Sequence, residues 1–341
     1  MKFMIRIWFT LLALTFAPPL AAQEPPDDGV DAEMILALKG LQLLDQRLNA
    51  IGYRLIKANT AYCEEKVATT GMLLNDVAQY VDQGTARFAL GFDGPIGITA
   101  VAPGSPSEAA KLSPGNTLLA VNDIAVDEIP VDDPQLSREQ PVYRKVAAIN
   151  RTIETALAAG DVQLTISQGG IKQTVPIRQV LTCPGQFQIR VSADRSATAD
   201  GRMVSVSSRL AEYFLDDDEF AAVVAHELAH NLLKHRDQLD AQGVNRGFFG
   251  QFGKSAGQIK EAEIEADRLS VWLMANAGYD PQAAIRFWTR YGKEHGKGIF
   301  SASTHYRWKK RVQLFEEEIV KMAAATSVDG KFAPPLLTET D

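Results

Sequence analysis

Cysteine and histidine are both scarce in this chain. It has two cysteines, Cys63 and Cys183, and five histidines in 341 residues. Neither cysteine has ligand spacing to a histidine, so the thiols are not read as metal ligands. An excess of positive charge is missing too. Lys and Arg number 35 against 42 Asp and Glu, the net charge is −7, and no basic stripe carries interleaved aromatics. That excludes a nucleic-acid partner. Beyond the first residues, no segment approaches the roughly 20 apolar residues a membrane span needs. What is present is an ordinary globular composition, 46% hydrophobic and 23% charged. The length is sufficient for two domains with a core in each.

Residues 1–22 read as a signal peptide. Lys2 and Arg6 form a charged start, Ile7 to Phe16 an apolar core, and Pro18 and Pro19 break it before Ala21, Ala22 and Gln23. The apolar core is too short to span a bilayer. No cysteine follows, which argues against a lipid anchor; the alternative is an uncleaved N-terminal anchor. The expectation is a soluble, exported protein without a transmembrane segment in its mature form, most simply periplasmic. An oxidising compartment permits a disulfide between Cys63 and Cys183, which bracket the middle of the chain. The alternative is two separate buried thiols.

The strongest signal is His226-Glu227-Leu228-Ala229-His230, set in an apolar run from Phe220. On a helix, positions i and i+4 share a face, so His226 and His230 can present two imidazoles to one ion. Glu227 lies beside them and can take a proton from the attacking water. Asp216-Asp217-Asp218 precedes the run and reads as N-capping and dipole complementation. The bland alternative is an amphipathic helix that happens to carry two histidines.

Residues 23–84 read as a polar linker and an N-terminal helical segment, with apolar periodicity over 31–60. Residues 85–182 change character. Short strand-like runs appear at 88–92, 96–101, 117–121, 162–166 and 174–177, separated by turn signals such as Pro103-Gly104 and Pro114-Gly115. One helical stretch, Tyr143 to Ala159, lies among them. This order and the string from Val101 to Asp123 resemble a PDZ domain. Asn116 stands where that pattern usually has Asp, and Asp123 where it has Gly. The resemblance implies that Leu90-Gly91-Phe92 is the carboxylate-binding loop, assisted by Arg87, for a C-terminal peptide that adds as a strand. The alternative is a PDZ-shaped spacer whose groove is filled by the chain itself.

Two imidazoles leave a catalytic zinc site one protein ligand short. Residues 261–267, Glu-Ala-Glu-Ile-Glu-Ala-Asp, open a long apolar helix in which Glu263 and Asp267 share a face. Together with His-Glu-x-x-His, the short strand Val204–Ser207 and Gly278-Tyr279-Asp280-Pro281, this string resembles the HtpX-like and CAAX-prenyl-protease-like zinc metallopeptidases over roughly residues 185–325. The resemblance implies Glu263 as third ligand, with Glu265 as runner-up. It also implies Asp267 as acceptor of a hydrogen bond from a ligand histidine, most simply His226. Residues 303–311 match further. There His305 is placed at the oxyanion or on the zinc of a latent state, and Arg311 orients substrate or holds the loop, although Tyr306 replaces the usual Pro. His235 has no clear role. The Gly- and Phe-rich stretch 242–257 reads as a lid or as an ordered loop.

The expected architecture is α+β. A PDZ-like β-barrel module (85–182) is followed by a mainly helical zincin peptidase domain with a small sheet (183–325) and a flexible tail (326–341). The expected function is an exported metalloendopeptidase with one Zn2+ per chain, acting on protein or peptide substrates in envelope quality control. An edge strand near Val204–Ser207 would hold the substrate extended. The alternative is a PDZ-based peptide-binding or chaperone-like protein with a latent or structural zinc.

Overall fold

The computed structural model describes residues 31–132, 141–244, 253–295 and 308–338. The expected signal peptide, residues 245–252 of the 242–257 stretch, and His305 lie outside the described residues.

The chain begins with a 27-residue helix, α1 (Ala32–Ala58), capped by the Asp31 side chain, which accepts from the backbone N–H groups of Glu33 and Met34. A short β1 (Val67–Ala68) and β2 (Met72–Asp76) follow, then α2 (Gln83–Leu90), β3 (Ile96–Val101), a single turn α3 (Pro106–Ala109), β4 (Thr117–Val121) and β5 (Ile124–Ala125). Helix α4 (Arg144–Ala159) leads into the hairpin β6 (Val162–Gln168) and β7 (Ile171–Ile177). These strands form a sheet ordered β2-β3-β4-β6-β7, with β5 paired to β4. Among the described residues β2 and β7 do not pair with each other, so no closed barrel is found there. Leu118, Val162, Leu164 and Ile166 pack beneath Ile149, Ile153 and Leu157 of α4 as one apolar core.

The expected boundary at residue 85 cuts through α2, and the sheet takes its edge strand β2 from before it. Residues 88–92, read as strand, are mostly the end of α2. The alternation there is that of one buried helical face, with Ala86, Ala89 and Leu90 inside.

β8 (Leu181–Thr182) pairs with β1, next to the disulfide joining Cys63 to Cys183 with Cα atoms 5.5 Å apart. A second sheet holds β9 (Gln186–Arg190), β10 (Ala197–Ala199) and β11 (Met203–Ser207), ordered β10-β11-β9. Then come α5 (Ser208–Ala211), α6 (Asp217–Leu232), α7 (His235–Ala241), α8 (Gly253–Asn276), α9 (Gln282–His295) and α10 (Trp308–Ala324). The segment expected to be a flexible tail instead forms a hairpin, β12 (Ser327–Val328) with β13 (Lys331–Phe332), and a short α11 (Pro335–Thr338). Asn276 of α8 anchors it, accepting from the Phe332 N–H at 2.7 Å and donating to the Phe332 carbonyl at 2.9 Å.

Helix α6 is apolar on nearly every side because it is central. Phe220 to Ala225, Leu228 and Ala229 are all buried, within a core that takes Leu48 and Leu55 from α1, Leu269 and Leu273 from α8, and Phe287 from α9. Its N-terminus is held by Asp216, whose side chain accepts from Glu219 N–H at 2.8 Å, with three acids in the first turn. Helix α1 reaches both sheets. Asn49 donates to the Gly71 carbonyl beside β2, and Asp45 accepts from the Ile189 N–H of β9. Gly52 is required where α1 meets β9: a Cβ there would lie 2.4 Å from the Phe187 ring.

Candidate metal centre

The site lies where α6, α8 and α10 converge. His226 and His230 stand one turn apart on α6, and Glu263 faces them from α8. The His226 and His230 Nε2 atoms are 3.2 Å apart. Glu263 Oε1 is 3.3 Å from His230 Nε2, and its Oε2 is 3.6 Å from His226 Nε2. A tetrahedral zinc with bonds near 2.05 Å sets its ligand atoms about 3.3 Å apart. The two nitrogens and the Glu263 carboxylate group are spaced to fit that ion, and three protein ligands leave a fourth position for water. Among the described residues this is the one group of three or more potential ligands close enough to share a metal.

Asp267, one turn beyond Glu263 and fully buried, accepts from His226 Nδ1 at 2.8 Å. It also takes Arg311 of α10 in a fork. Arg311 Nε is 2.9 and 2.7 Å from the two carboxylate oxygens, and Nη2 is 2.6 Å from Oδ1. The guanidinium lies 3.7 Å from the centroid of the Trp288 ring, which covers its other side. Sequence reasoning gave Arg311 a looser role, on substrate or on a loop. The structure instead seats it, buried, on Asp267 and His226. Trp288 was missed; its place on the buried stripe of α9 was the only signal.

The electrostatics follow from burial against partners. Burial and the Arg311 charge disfavour an imidazolium at His226, but Asp267 and Glu263 outweigh them and push it up to about 9. Burial dominates at His230 and takes it down to about 4. Burial alone would raise Glu263, yet its hydrogen bonds with the two histidines hold it well below the usual carboxylate range. Glu227 is half-buried on the same helix, and its charge helps to keep Arg311 protonated.

Two further residues join the cluster. Lys234, in the left-handed region at φ 55°, breaks α6 from α7 and turns the chain so that His235 folds back over His230. His235 is buried, with Nδ1 2.9 Å from His230 Nδ1 and Nε2 2.9 Å from Glu265 Oε2. Glu265 points to His235 and lies off the face that carries Glu263.

Residues 196–262 match Peptidase family M48. The match contains His226, Glu227 and His230 and ends one residue before Glu263. Members of that family are zinc-dependent metallopeptidases, and the cluster of His226, His230 and Glu263 suits such an ion. The chain is similar to three proteins named mitochondrial metalloendopeptidase OMA1. It is 33% identical over 122 residues to the one from Schizosaccharomyces pombe, 30% of this chain and 36% of that protein. It is 29% identical over 138 residues to the one from Arabidopsis thaliana, covering 34% and 27%. It is 24% identical over 166 residues to the one from Saccharomyces cerevisiae, covering 40% and 48%. The matches span less than half the length of each relative.

These relatives overturn the periplasmic placement, because all three are mitochondrial by name. A charged start and a short apolar core mark an address signal only generically, and do not say which membrane it addresses. Among the described residues no helix is long and apolar enough to cross a membrane.

Two other expectations are corrected away from the metal cluster. Leu90-Gly91-Phe92 is not a carboxylate cradle. Gly91, at φ 73°, caps α2, with Gly91 N–H donating to Phe88 O and Phe92 N–H to Arg87 O. Asp93 N–H donates to Thr117 Oγ1, Leu90 and Phe92 are buried, and Arg87 donates to the Asp93 carbonyl. No backbone donor is left to hold an anion there. The strand Val204–Ser207 is also not an edge. Among the described residues β11 lies between β10 and β9, so the edges of this sheet are β10, packed beside α6, and β9, packed beside α1.

Proposed function

We propose that this chain is a zinc metalloendopeptidase in which His226, His230 and Glu263 hold one ion. The observation that carries the reading is the pair of imidazole Nε2 atoms 3.2 Å apart on a buried helix, with one Glu263 oxygen 3.3 Å from His230 and the other 3.6 Å from His226. Bound zinc supplies charge that activates water and polarises the scissile carbonyl. Glu227, adjacent to His226, takes the proton of the attacking water and passes it to the leaving amine. Asp267 holds His226 with its proton on Nδ1, leaving Nε2 for the ion, and Arg311 neutralises the charge of Asp267. The substrate adds as a strand to the free edge of β10, beside α6.

The N-terminal module supports a second, recruiting role at a different place from Leu90–Phe92. The unpaired edge of β2 and the facing side of α4 flank a cavity of about 760 Å³, lined by Met72, Leu74, Asn75, Val146, Asn150 and Glu154. Residues of β9 and the C-terminal end of α6 line the same cavity, so a peptide added along β2 would lie against the segment that matches family M48. Asn150→Trp fills that groove. It should raise KM for casein while leaving cleavage of a short blocked peptide unchanged; equal effects on both would refute recruitment there.

The deciding test pairs metal content with casein cleavage, wild type beside Glu227→Gln. One zinc per chain in both proteins, with cleavage lost only in the mutant, is the expected result. No stoichiometric zinc in the wild type would overturn the reading.

A further inference from the structure

We infer that Glu265 and His235 form a hydrogen-bonded relay that fixes the tautomer and orientation of His230, the counterpart of what Asp267 does for His226. The inference rests on the zinc reading of the site and extends it to two residues with no part in ligation or proton transfer.

The geometry admits one consistent arrangement of protons. His230 turns its Nε2 toward His226 and Glu263, 3.2 and 3.3 Å away, so Nε2 is the nitrogen that meets the ion. Its proton then sits on Nδ1, which lies 2.9 Å from His235 Nδ1. A hydrogen bond at that distance requires His235 Nδ1 to accept, and the His235 proton must be on Nε2. That nitrogen faces the Glu265 carboxylate at 2.9 Å. Each donor meets an acceptor from His230 through His235 to Glu265. The reverse tautomer of His230 would put a proton on the ligand atom and leave its Nδ1 an acceptor.

The backbone is arranged to make this contact. His235 is the first residue of α7 and comes back over α6 because Lys234 adopts φ 55°, in the left-handed region that non-glycine residues avoid. His235 is 3% exposed and packs edge-on against the His230 ring, centroids 5.0 Å apart. A buried imidazole without polar partners would be costly, and these two are the partners it has. The two ligand histidines thus receive different supports. His226 leans on a buried carboxylate tied to Arg311, and His230 on an imidazole whose carboxylate reaches the surface.

Partners of this kind typically change metal affinity about 10- to 100-fold when removed. The test uses the full chain and measures zinc affinity by competition with a chromophoric chelator, and the visible spectrum of the cobalt-substituted protein. Proteins compared are wild type, His235→Ala, Glu265→Gln and the double variant. His235→Ala is expected to weaken zinc binding about 10- to 100-fold, and Glu265→Gln by about tenfold, each with shifted cobalt bands. The double variant should bind no more weakly than His235→Ala, because Glu265 acts only through His235. If His235→Ala fails to fold, Glu265→Gln carries the test, since the Glu265 side chain is 34% exposed and its replacement leaves the core intact. Zinc affinity within about twofold of wild type in Glu265→Gln with unshifted bands, or additive losses in the double variant, would overturn the relay. A wild-type chain that binds no zinc would instead overturn the reading on which the relay rests.

Discussion

Asp267 of α8 and Arg311 of α10 form a buried two-pronged ion pair, with three contacts of 2.6 to 2.9 Å, directly behind the first metal-ligand histidine. Both side chains are almost wholly removed from water. Desolvating two charges is expensive, so the pair contributes position more than net stability. Removing one partner has a different cost: it leaves the other charge buried and uncompensated.

Arg311→Met is therefore expected to destabilise the fold by about 3–5 kcal/mol. Asp267→Asn should do so to a similar extent and also weaken zinc binding about 10- to 100-fold through His226. The double variant should recover much of the stability but none of the affinity. Urea unfolding and chelator competition on the three proteins measure both quantities. Additive losses of stability would mean that the two residues act independently.

The disulfide ties the start of the N-terminal module to its end, closing a loop over a sequence separation of 120. Chain-entropy reasoning gives a cross-link of that span about 4–5 kcal/mol. Cys63→Ser should shift urea unfolding toward lower concentration by that order, and reductant should do the same to wild type while leaving Cys63→Ser unmoved. An equal response of both proteins to reductant would show that the bond contributes nothing.

The parts of this site legible in the sequence are those fixed by helix periodicity. A spacing of four on a helix puts His226 beside His230 and Glu263 beside Asp267, whatever the tertiary fold does. The same periodicity turns Glu265 away from the ion, and only the fold shows that it turns toward His235. That contact depends on Lys234 taking a left-handed conformation, for which lysine gives no cue; glycine or asparagine would have. Leu90-Gly91-Phe92 misled because a short string was read without the helix before it. A glycine after an apolar helical face is a C-cap before it is a binding loop, and its N–H groups are already spent. The edge of the small sheet was out of reach for another reason. Alternation identifies Val204–Ser207 as a strand, but strand order is set by long-range pairing and leaves no local trace.

Asp45 gives the pH dependence its sign. It sits on α1 between the two sheets, where burial raises its carboxyl from an ordinary 3.8 to about 7, against the lowering effect of the Ile189 N–H it accepts. A carboxyl raised in the folded state binds its proton more tightly folded than unfolded. Its contribution to stability is fully present below pH 4 and is lost as pH rises through 7. The loss approaches roughly 4 kcal/mol at most, three pH units at about 1.4 kcal/mol each. Asp45→Asn keeps an oxygen for the Ile189 N–H and has nothing to ionise. It should unfold at higher urea than wild type at pH 8, and at pH 4.5 the difference should shrink to about a quarter of its pH 8 size. Urea titrations of both proteins across that range check this. A wild-type midpoint that moves in parallel with the variant's would show that Asp45 ionises without cost, as an exposed carboxylate does.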